Sequence, residues 1–258
     1  MPRRGIEALR RQLRRWLKLD VISTANMNTL RHNLAEVLRR YRIDTVLDVG
    51  ANEGQFAIML REGADFSGAI HSFEPASGPS AKLMARAAKD SDWHVHRLAL
   101  GPSAGMVTLN ISEYSTFSSL RPPNLFGTKT FSDIRVVNEE KVFMSTLDSF
   151  IKEHFTGTDA RILLKMDTQG YDLEVFAGAG ESISRICALI SELSLMPIYE
   201  GMPRYAEMLE TYENSGFAVS GIFPVNRTRE LALIEADCVM VRRDALPHPG
   251  TPSAMPSV

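Results

Sequence analysis

An apolar run over Thr45–Val49 stops at Gly50, and a second glycine follows four residues later at Gly54. Aliphatic and β-branched residues in an unbroken run suit a buried strand, and glycines at its end suit a tight turn into a helix. The junction therefore commits this region to a strand–turn–helix unit. It also predicts a ligand, because glycine lets a ligand approach the backbone and the helix start offers free N–H groups. The dinucleotide fingerprint requires Gly-x-Gly-x-x-Gly. Counted from Gly50, Asn52 and Gln55 stand where its second and third glycines belong. The pattern present, Asp48 to Gly54, is Asp-x-Gly-x-x-x-Gly.

That spacing resembles motif I of the S-adenosylmethionine-dependent methyltransferases. A ligand with a cationic amino group and a sulfonium favours a carboxylate such as Asp48 over an all-backbone phosphate cradle. Glu74 follows Gly54 by 20 residues, at the end of a second apolar run, where an acid can accept hydrogen bonds from a ribose diol. Both nucleotide classes carry that diol, so the glycine spacing separates them and Glu74 does not. A ligand-free turn beside an exposed carboxylate is the plain alternative.

Strand-like and helix-like segments then alternate. Strands are predicted at 45–49, 69–73, 93–98, 161–166 and 186–193, with helices after most of them, and two closing strands, antiparallel to each other, at 217–223 and 231–241. This rhythm predicts an α/β fold with a mostly parallel sheet and helices on both faces. The stretch 103–145 breaks the rhythm. Two extended pieces flank a segment at 113–130 rich in Ser, Thr, Pro, Phe and Asn, long enough to be functional and placed to reach over the strand ends.

Composition is that of a globular chain of 258 residues, 44% apolar and 23% charged. A net charge of −2 argues against general nucleic-acid binding. Cys187 and Cys238 lie in apolar runs and read as reduced thiols of a cytosolic protein. No apolar stretch is long enough to span a membrane, and the N-terminus lacks the apolar core of a signal peptide. Residues 3–18 hold seven Arg and Lys against one acid, with Ile6, Leu9, Leu13, Trp16 and Leu17 at helical spacing. A basic amphipathic helix over 3–19 is predicted, either packed on the domain edge or lying on an anionic membrane surface. The division expected is a helical extension over 1–43, the main domain over 44–243 with an insertion near 113–134, and a disordered Pro- and Ser-rich tail over 244–258.

Candidate chemistry gathers at strand ends. Asp167 closes the run 161–166 and could take a proton from an attacking hydroxyl or help hold a divalent cation. Helix capping is its plainer role. Glu192 ends the next strand, and Asp172 and Glu200 complete an acidic rim; Asp167, Asp172 and Glu192 are the metal candidates if there is a metal. His94 and His96 share one strand face without a third residue spaced to complete a zinc site, and His71 reads as structural. No Gly-x-Ser-x-Gly elbow and no P-loop are present.

Asp48–Gly54 (DVGANEG), His71–Pro75 (HSFEP), Ser145–Asp148 (STLD), Leu164–Glu174 (LKMDTQGYDLE), Phe176–Gly178 and Ile190–Glu192 follow one another in an order that resembles the FkbM family of methyltransferases. Where members usually carry Glu, this chain has Asp172. The resemblance implies a Rossmann-like class I methyltransferase fold with a seven-stranded sheet and an antiparallel closing strand. It implies an S-adenosylmethionine-dependent O-methyltransferase acting on a hydroxyl of a sugar, glycolipid or polyketide-type product. By position it places cofactor contacts at Asp48, Gly50, Asn52, Gly54 and Glu74, with Leu98 and Ala99 near the adenine.

Such chemistry needs an aligned acceptor oxygen and a base for its proton. Asp167 is the first candidate for that base and Glu192 the second. Ser115, Thr116, Ser118 and Ser119 could hydrogen-bond a polyhydroxyl acceptor, Phe117 could stack on it, and Glu200 could contact it. The basic N-terminus fits a lipid-linked acceptor at the inner membrane face. The rivals are an NAD-dependent oxidoreductase and a non-catalytic cofactor-binding adaptor.

Overall fold

The computed structural model describes residues 29–245, so the helix expected over 3–19 and all but the start of the expected tail lie outside the described residues. The described residues open with α1 (Leu30–Arg40), whose N-cap Thr29 accepts the amide of His32. There follow β1 (Thr45–Val49), α2 (Gln55–Gly63), β2 (Ala69–Phe73), α3 (Ser77–Ala87) and β3 (Trp93–His96). The middle contains β4 (Ala99–Leu100), β5 (Gly105–Ser112), α4 (Leu125–Thr130) and β6 (Val136–Ser145). The second half contains α5 (Leu147–Phe155), β7 (Ile162–Met166), α6 (Asp172–Ala177), β8 (Ile186–Ser194), α7 (Tyr205–Asn214), β9 (Phe217–Arg227) and β10 (Leu233–Arg242).

Seven strands form one sheet in the order β3-β2-β1-β7-β8-β10-β9. β10 runs antiparallel to both its neighbours and the other pairs are parallel. This is the Rossmann-like class I arrangement. Every residue of β1 and of β7 is buried, as expected of central strands covered on both faces. Leu34, Leu60 and Leu83 of α1, α2 and α3 pack on one face with Val46 and Ile190. Phe150, Phe176 and Tyr212 of α5, α6 and α7 pack on the other with Leu47 and Leu164.

The two extended pieces around the predicted insertion pair with each other. β5 and β6 form an antiparallel ribbon, and β4 joins β6 in parallel to make a second, three-stranded sheet. The segment between them is less loop-like than its composition predicts. A 3-10 turn covers Ser115–Phe117, and Asn124 caps α4 by accepting the amide of Gly127 at 2.8 Å. Bridges Asn110–Ser119 and Pro123–Tyr199 fasten this segment over the carboxyl ends of the main strands.

The histidines form a packing cluster, in line with the structural role expected of His71. His71, His94, His96 and His154 gather against Phe150 and Phe155, with His71 Nδ1 3.1 Å from His96 Nε2. Burial first, then the neighbouring imidazoles, push His71 down to about 3 and His96 to about 4. They are packing groups held neutral. Among the described residues no cluster of three or more His, Cys, Asp and Glu is arranged to hold a metal ion, and no helix is long and apolar enough to cross a membrane.

Candidate active site

A cavity of about 450 Å³ opens at the carboxyl ends of β1, β2, β7 and β8, roofed by the 115–120 segment. That size suits a small-molecule site. Its floor is set by the register of β1 and β7, which places Asp48 beside Lys165. Lys165 Nζ lies 3.0 Å from Asp48 Oδ1 and 3.5 Å from Asp167 Oδ2, and it donates to the carbonyl of Gly50 at 3.0 Å. Burial pulls this ammonium toward losing its proton, but the charges of Asp48 and Asp167 outweigh it and hold Lys165 well above the ordinary lysine range. Below the ion pair, Trp93 Nε1 donates to Ser72 Oγ, which donates to Asp48 Oδ2. Asp48 is fully buried and does not line the cavity.

The turn refines two expectations. First, the amides over 52–54 are engaged, while those of the first turn of α2, Gln55 to Ala57, make no hydrogen bond to the described residues. The N–H of Asn52 donates to Glu74 Oε2 at 2.8 Å, that of Glu53 to Gln55 Oε1 at 3.1 Å, and that of Gly54 to the carbonyl of Ala51 at 2.8 Å. Second, the glycines answer to the protein. A Cβ on Gly50, where φ is +76°, would stand 2.0 Å from the carbonyl oxygen of Asp167. One on Gly54, where φ is +90°, would meet Trp93 and Leu83 at 2.7 and 2.8 Å. Strand-to-strand contact and left-handed backbone demand glycine here before any ligand does.

Glu74 lines the cavity at the end of β2, accepting from the amides of Asn52 and Ala76, both at 2.8 Å. Burial raises it to about 7 despite those two bonds. Leu98 and Ala99 line the same end of the cavity, together with Phe73, Pro75, Leu100 and Leu109. Gly54 and Glu200 lie off the cavity wall. The amide of Glu200 bonds the carbonyl of Pro122, and its own carbonyl accepts from Arg121.

Asp167 and Glu192 come together across β7 and β8. The amide nitrogen of Gln169 bridges them, 3.0 Å from Asp167 Oδ1 and 3.2 Å from Glu192 Oε2. Tyr199 orients that bridge by donating its hydroxyl to Gln169 Oε1 at 3.0 Å. Burial, then the charges of Asp167, Glu235 and Asp237, drive Glu192 well above the usual carboxylate range. Asp172 leaves the acidic rim and the metal candidates. Its Oδ1 accepts from the amide and hydroxyl of Thr168 and its Oδ2 from Ser191 Oγ and the amide of Glu192. With all four bonds made, it pins the turn after β7 to β8.

The 115–119 segment lines the cavity as expected by position, but most of its hydroxyls are already engaged. Ser119 Oγ donates to the carbonyl of Gln169 at 2.7 Å, Ser118 Oγ accepts the amide of Ser112, and Ser115 Oγ donates to Asn52 Oδ1. Thr116 is exposed, and Phe117 packs on Phe131 with ring centroids 5.2 Å apart.

Polar residues of the wall to which the sequence reading gave no role include Lys165, Gln169, Asn226, Glu235 and Asp237. Lys165 and Gln169 stand inside the LKMDTQG segment, where a lysine in an otherwise apolar strand was the signal available. Glu235 and Asp237 sit on β10, and Asp237 lies directly across the ladder from Glu192.

Charge then decides the ligand class. Five carboxylates line the cavity (Glu74, Asp167, Glu192, Glu235 and Asp237), and Lys165 is the one basic residue there among the described residues. A pyrophosphate would meet these acids with the amides over 52–54 already bonded, whereas a nucleoside with a cationic tail fits. Glu74 supplies acceptors for a diol, the apolar end a surface for a base, and Asp167 a carboxylate for an ammonium.

The methyltransferase FkbM domain matches residues 48–219, well over half of the chain. The chain belongs to the FkbM methyltransferase family. The methyl donor of this FkbM protein is S-adenosylmethionine. No curated protein matches it in sequence. Among solved structures it is similar to an rRNA methylase from Streptococcus thermophilus, with 11% identity over 87% of this chain and 99% of that one and a TM-score of 0.44. It is also similar to a precorrin-6y C5,15-methyltransferase from Geobacter metallireducens GS-15, with 11% identity over 85% and 93% and a TM-score of 0.41. Fibrillarin from Aeropyrum pernix, solved with natively bound S-adenosyl-L-methionine, shares 10% identity over 77% and 66%, with a TM-score of 0.41.

Proposed function

We propose that this FkbM protein is an O-methyltransferase whose acceptor is a hydroxyl of a sugar, carried on a glycolipid or another glycosylated natural product. The observation that carries this reading is the half-buried, bridged carboxylate of Glu192, held beside Asp167 at the carboxyl end of the sheet. A neutral alcohol is a weak nucleophile that must lose a proton as it attacks.

Bound S-adenosylmethionine supplies a methyl carbon already activated by positive sulfur. Glu74 and Asn52 would hold its ribose, Leu98 and Ala99 its base, and Gly50 and Asp167 its amino-acid end. Glu192 takes the acceptor's proton at a carboxylate oxygen. Its preference over Asp167 rests on geometry: Asp167 is committed to Lys165 and Gln169, while Glu192 has one oxygen without a partner among the described residues. Thr116 and Phe117 border the acceptor entrance. Asp48, Gly54 and Asp172 support this arrangement from beneath. A polyketide-type alcohol is the second acceptor class the same base would serve.

The basic segment 3–18 supports a lipid-linked acceptor at the cytoplasmic face of a membrane. Deleting residues 1–19 is expected to abolish co-sedimentation with anionic vesicles and to spare adenosylhomocysteine affinity.

The decisive assay presents labelled S-adenosylmethionine and a crude glycolipid extract to the purified protein, with Glu192→Gln alongside. Label in a sugar-bearing lipid, lost in the variant with adenosylhomocysteine still bound, is expected. Label appearing only on nitrogen or carbon would end the reading.

A further inference from the structure

The wall of the cavity beyond the donor's turn is built from acids in a row. Asp167, Glu192 and Asp237 occupy one rung across β7, β8 and β10: Met166 pairs with Ser191, and Glu192 pairs with Asp237. Neighbouring strands are about 4.8 Å apart, so Asp237 stands roughly 10 Å beyond Asp167. Glu235 lies two residues earlier on the same face of β10. Like charges directly across a ladder repel, so the row either keeps protons or binds a cation.

Within the protein the answer is incomplete. Gln169 bridges only Asp167 and Glu192, and Lys165 is committed to Asp48 and Asp167. The Asp237 side chain receives no hydrogen bond from the described residues. Glu235 is 2% exposed, and Asn226 donates to its Oε2 at 2.8 Å. Its Oε1 is sealed from solvent and has no partner among the described residues, and Glu235 is part of the cavity wall. An unmet buried acceptor of this kind is destabilising, and more so if charged.

The missing partner is a donor with positive charge. A carboxylate only accepts, a hydroxyl brings one donor with two acceptor lone pairs, and an ammonium brings three donors and no acceptor. We propose that the acceptor is an amino sugar, its ammonium seated between Glu235 and Asp237 and the hydroxyl next to it delivered to Glu192. The spacing agrees, because side chains directly opposite on a ladder stand about 5 Å apart at Cβ and vicinal groups on a sugar ring reach both. The donor's own ammonium is not the occupant, since the turn at Gly50 lies on the far side of Asp167. An ammonium at Asp237 also favours the ionised form of Glu192, so the base is readied by the substrate.

This inference rests on the sugar-hydroxyl reading above and is tested apart from it. With adenosylhomocysteine bound, calorimetry compares methyl glucosaminide with methyl glucoside, which differ by one amine. The amine is expected to bind about tenfold tighter, equivalent to ~1.4 kcal/mol. In Glu235→Gln/Asp237→Asn the preference is expected to vanish while adenosylhomocysteine affinity holds, and Asp237→Asn alone should lose most of it. Equal binding of the two glycosides overturns the inference, as does a double variant that loses adenosylhomocysteine affinity and keeps the amine preference. Methyl transfer to neutral glycosides in that case would leave the sugar reading standing. Failure of either glycoside to bind, with label passing only to a non-sugar alcohol, would remove both.

Discussion

Lys165 Nζ stands 3.0 Å from Asp48 Oδ1, with the lysine side chain 9% exposed and the aspartate sealed. The pair joins the two central strands directly under the cavity. It explains why an acid that reads as a ligand contact lies beneath the site: Asp48 fixes the lysine that in turn fixes Asp167. Lys165→Met would strand a buried carboxylate, and breaking such a pair costs about 3–5 kcal/mol. Chemical denaturation is expected to show that loss, with Asp48→Asn/Lys165→Met costing less than the sum of the single changes. A Lys165→Met midpoint equal to wild type would contradict it.

Gly50→Ala is expected to cost stability by several kcal/mol, since left-handed strain and overpacking each contribute about 1–3 kcal/mol. The added methyl would press on the carbonyl of Asp167, a backbone atom that cannot swing aside. If the variant unfolds at the wild-type midpoint and only adenosylhomocysteine affinity drops, the glycine serves the ligand after all.

Gln169 holds a left-handed backbone, φ +54°, while bridging two acids. Such strain is kept where the surroundings enforce it. Gln169→Gly relieves the strain and removes the bridge. Turnover is expected to fall by about tenfold or more, the scale of one lost charge-assisted hydrogen bond, with adenosylhomocysteine affinity nearly unchanged. Unaltered turnover would show that the bridge positions nothing.

Two buried groups bend the stability curve in opposite senses. Burial, then Asp167, lifts Asp237 to about 7 from an ordinary 3.8. Between those values the folded protein keeps a proton that the unfolded chain has lost, so stability falls as pH rises from about 4 to 7. His71, lowered to about 3 from 6.5, behaves conversely: the unfolded chain takes up the proton first, and stability falls as pH drops below 6.5. Asp237→Asn is expected to raise the melting temperature at pH 8, and His71→Phe to flatten the loss toward pH 4. Melting curves across pH 4–8 check both, and parallel curves for wild type and either variant would refute that variant's assignment.

The central strands were legible because each is an unbroken apolar run, and burial on both faces leaves no other pattern. Glu74, Asp167 and Glu192 were legible because acids directly after such runs fall at the carboxyl edge. Glu235 and Asp237 were not. They alternate with Ala236 and Cys238, the pattern of a strand with one wet face, and only the non-local insertion of β10 between β8 and β9 turns that face into the cavity. The bonded state of the turn's amides was equally hidden, since Asn52 depends on a carboxylate 22 residues away.

The ribbon of β5 and β6 pairs within its own small sheet, separate from the larger one. Its tip carries the residues that roof the cavity, while donor turn, ion pair and acid row all belong to the main sheet. Selection could therefore lengthen, shorten or replace this ribbon and so re-tailor which molecules enter, without re-inventing the machinery that methylates them.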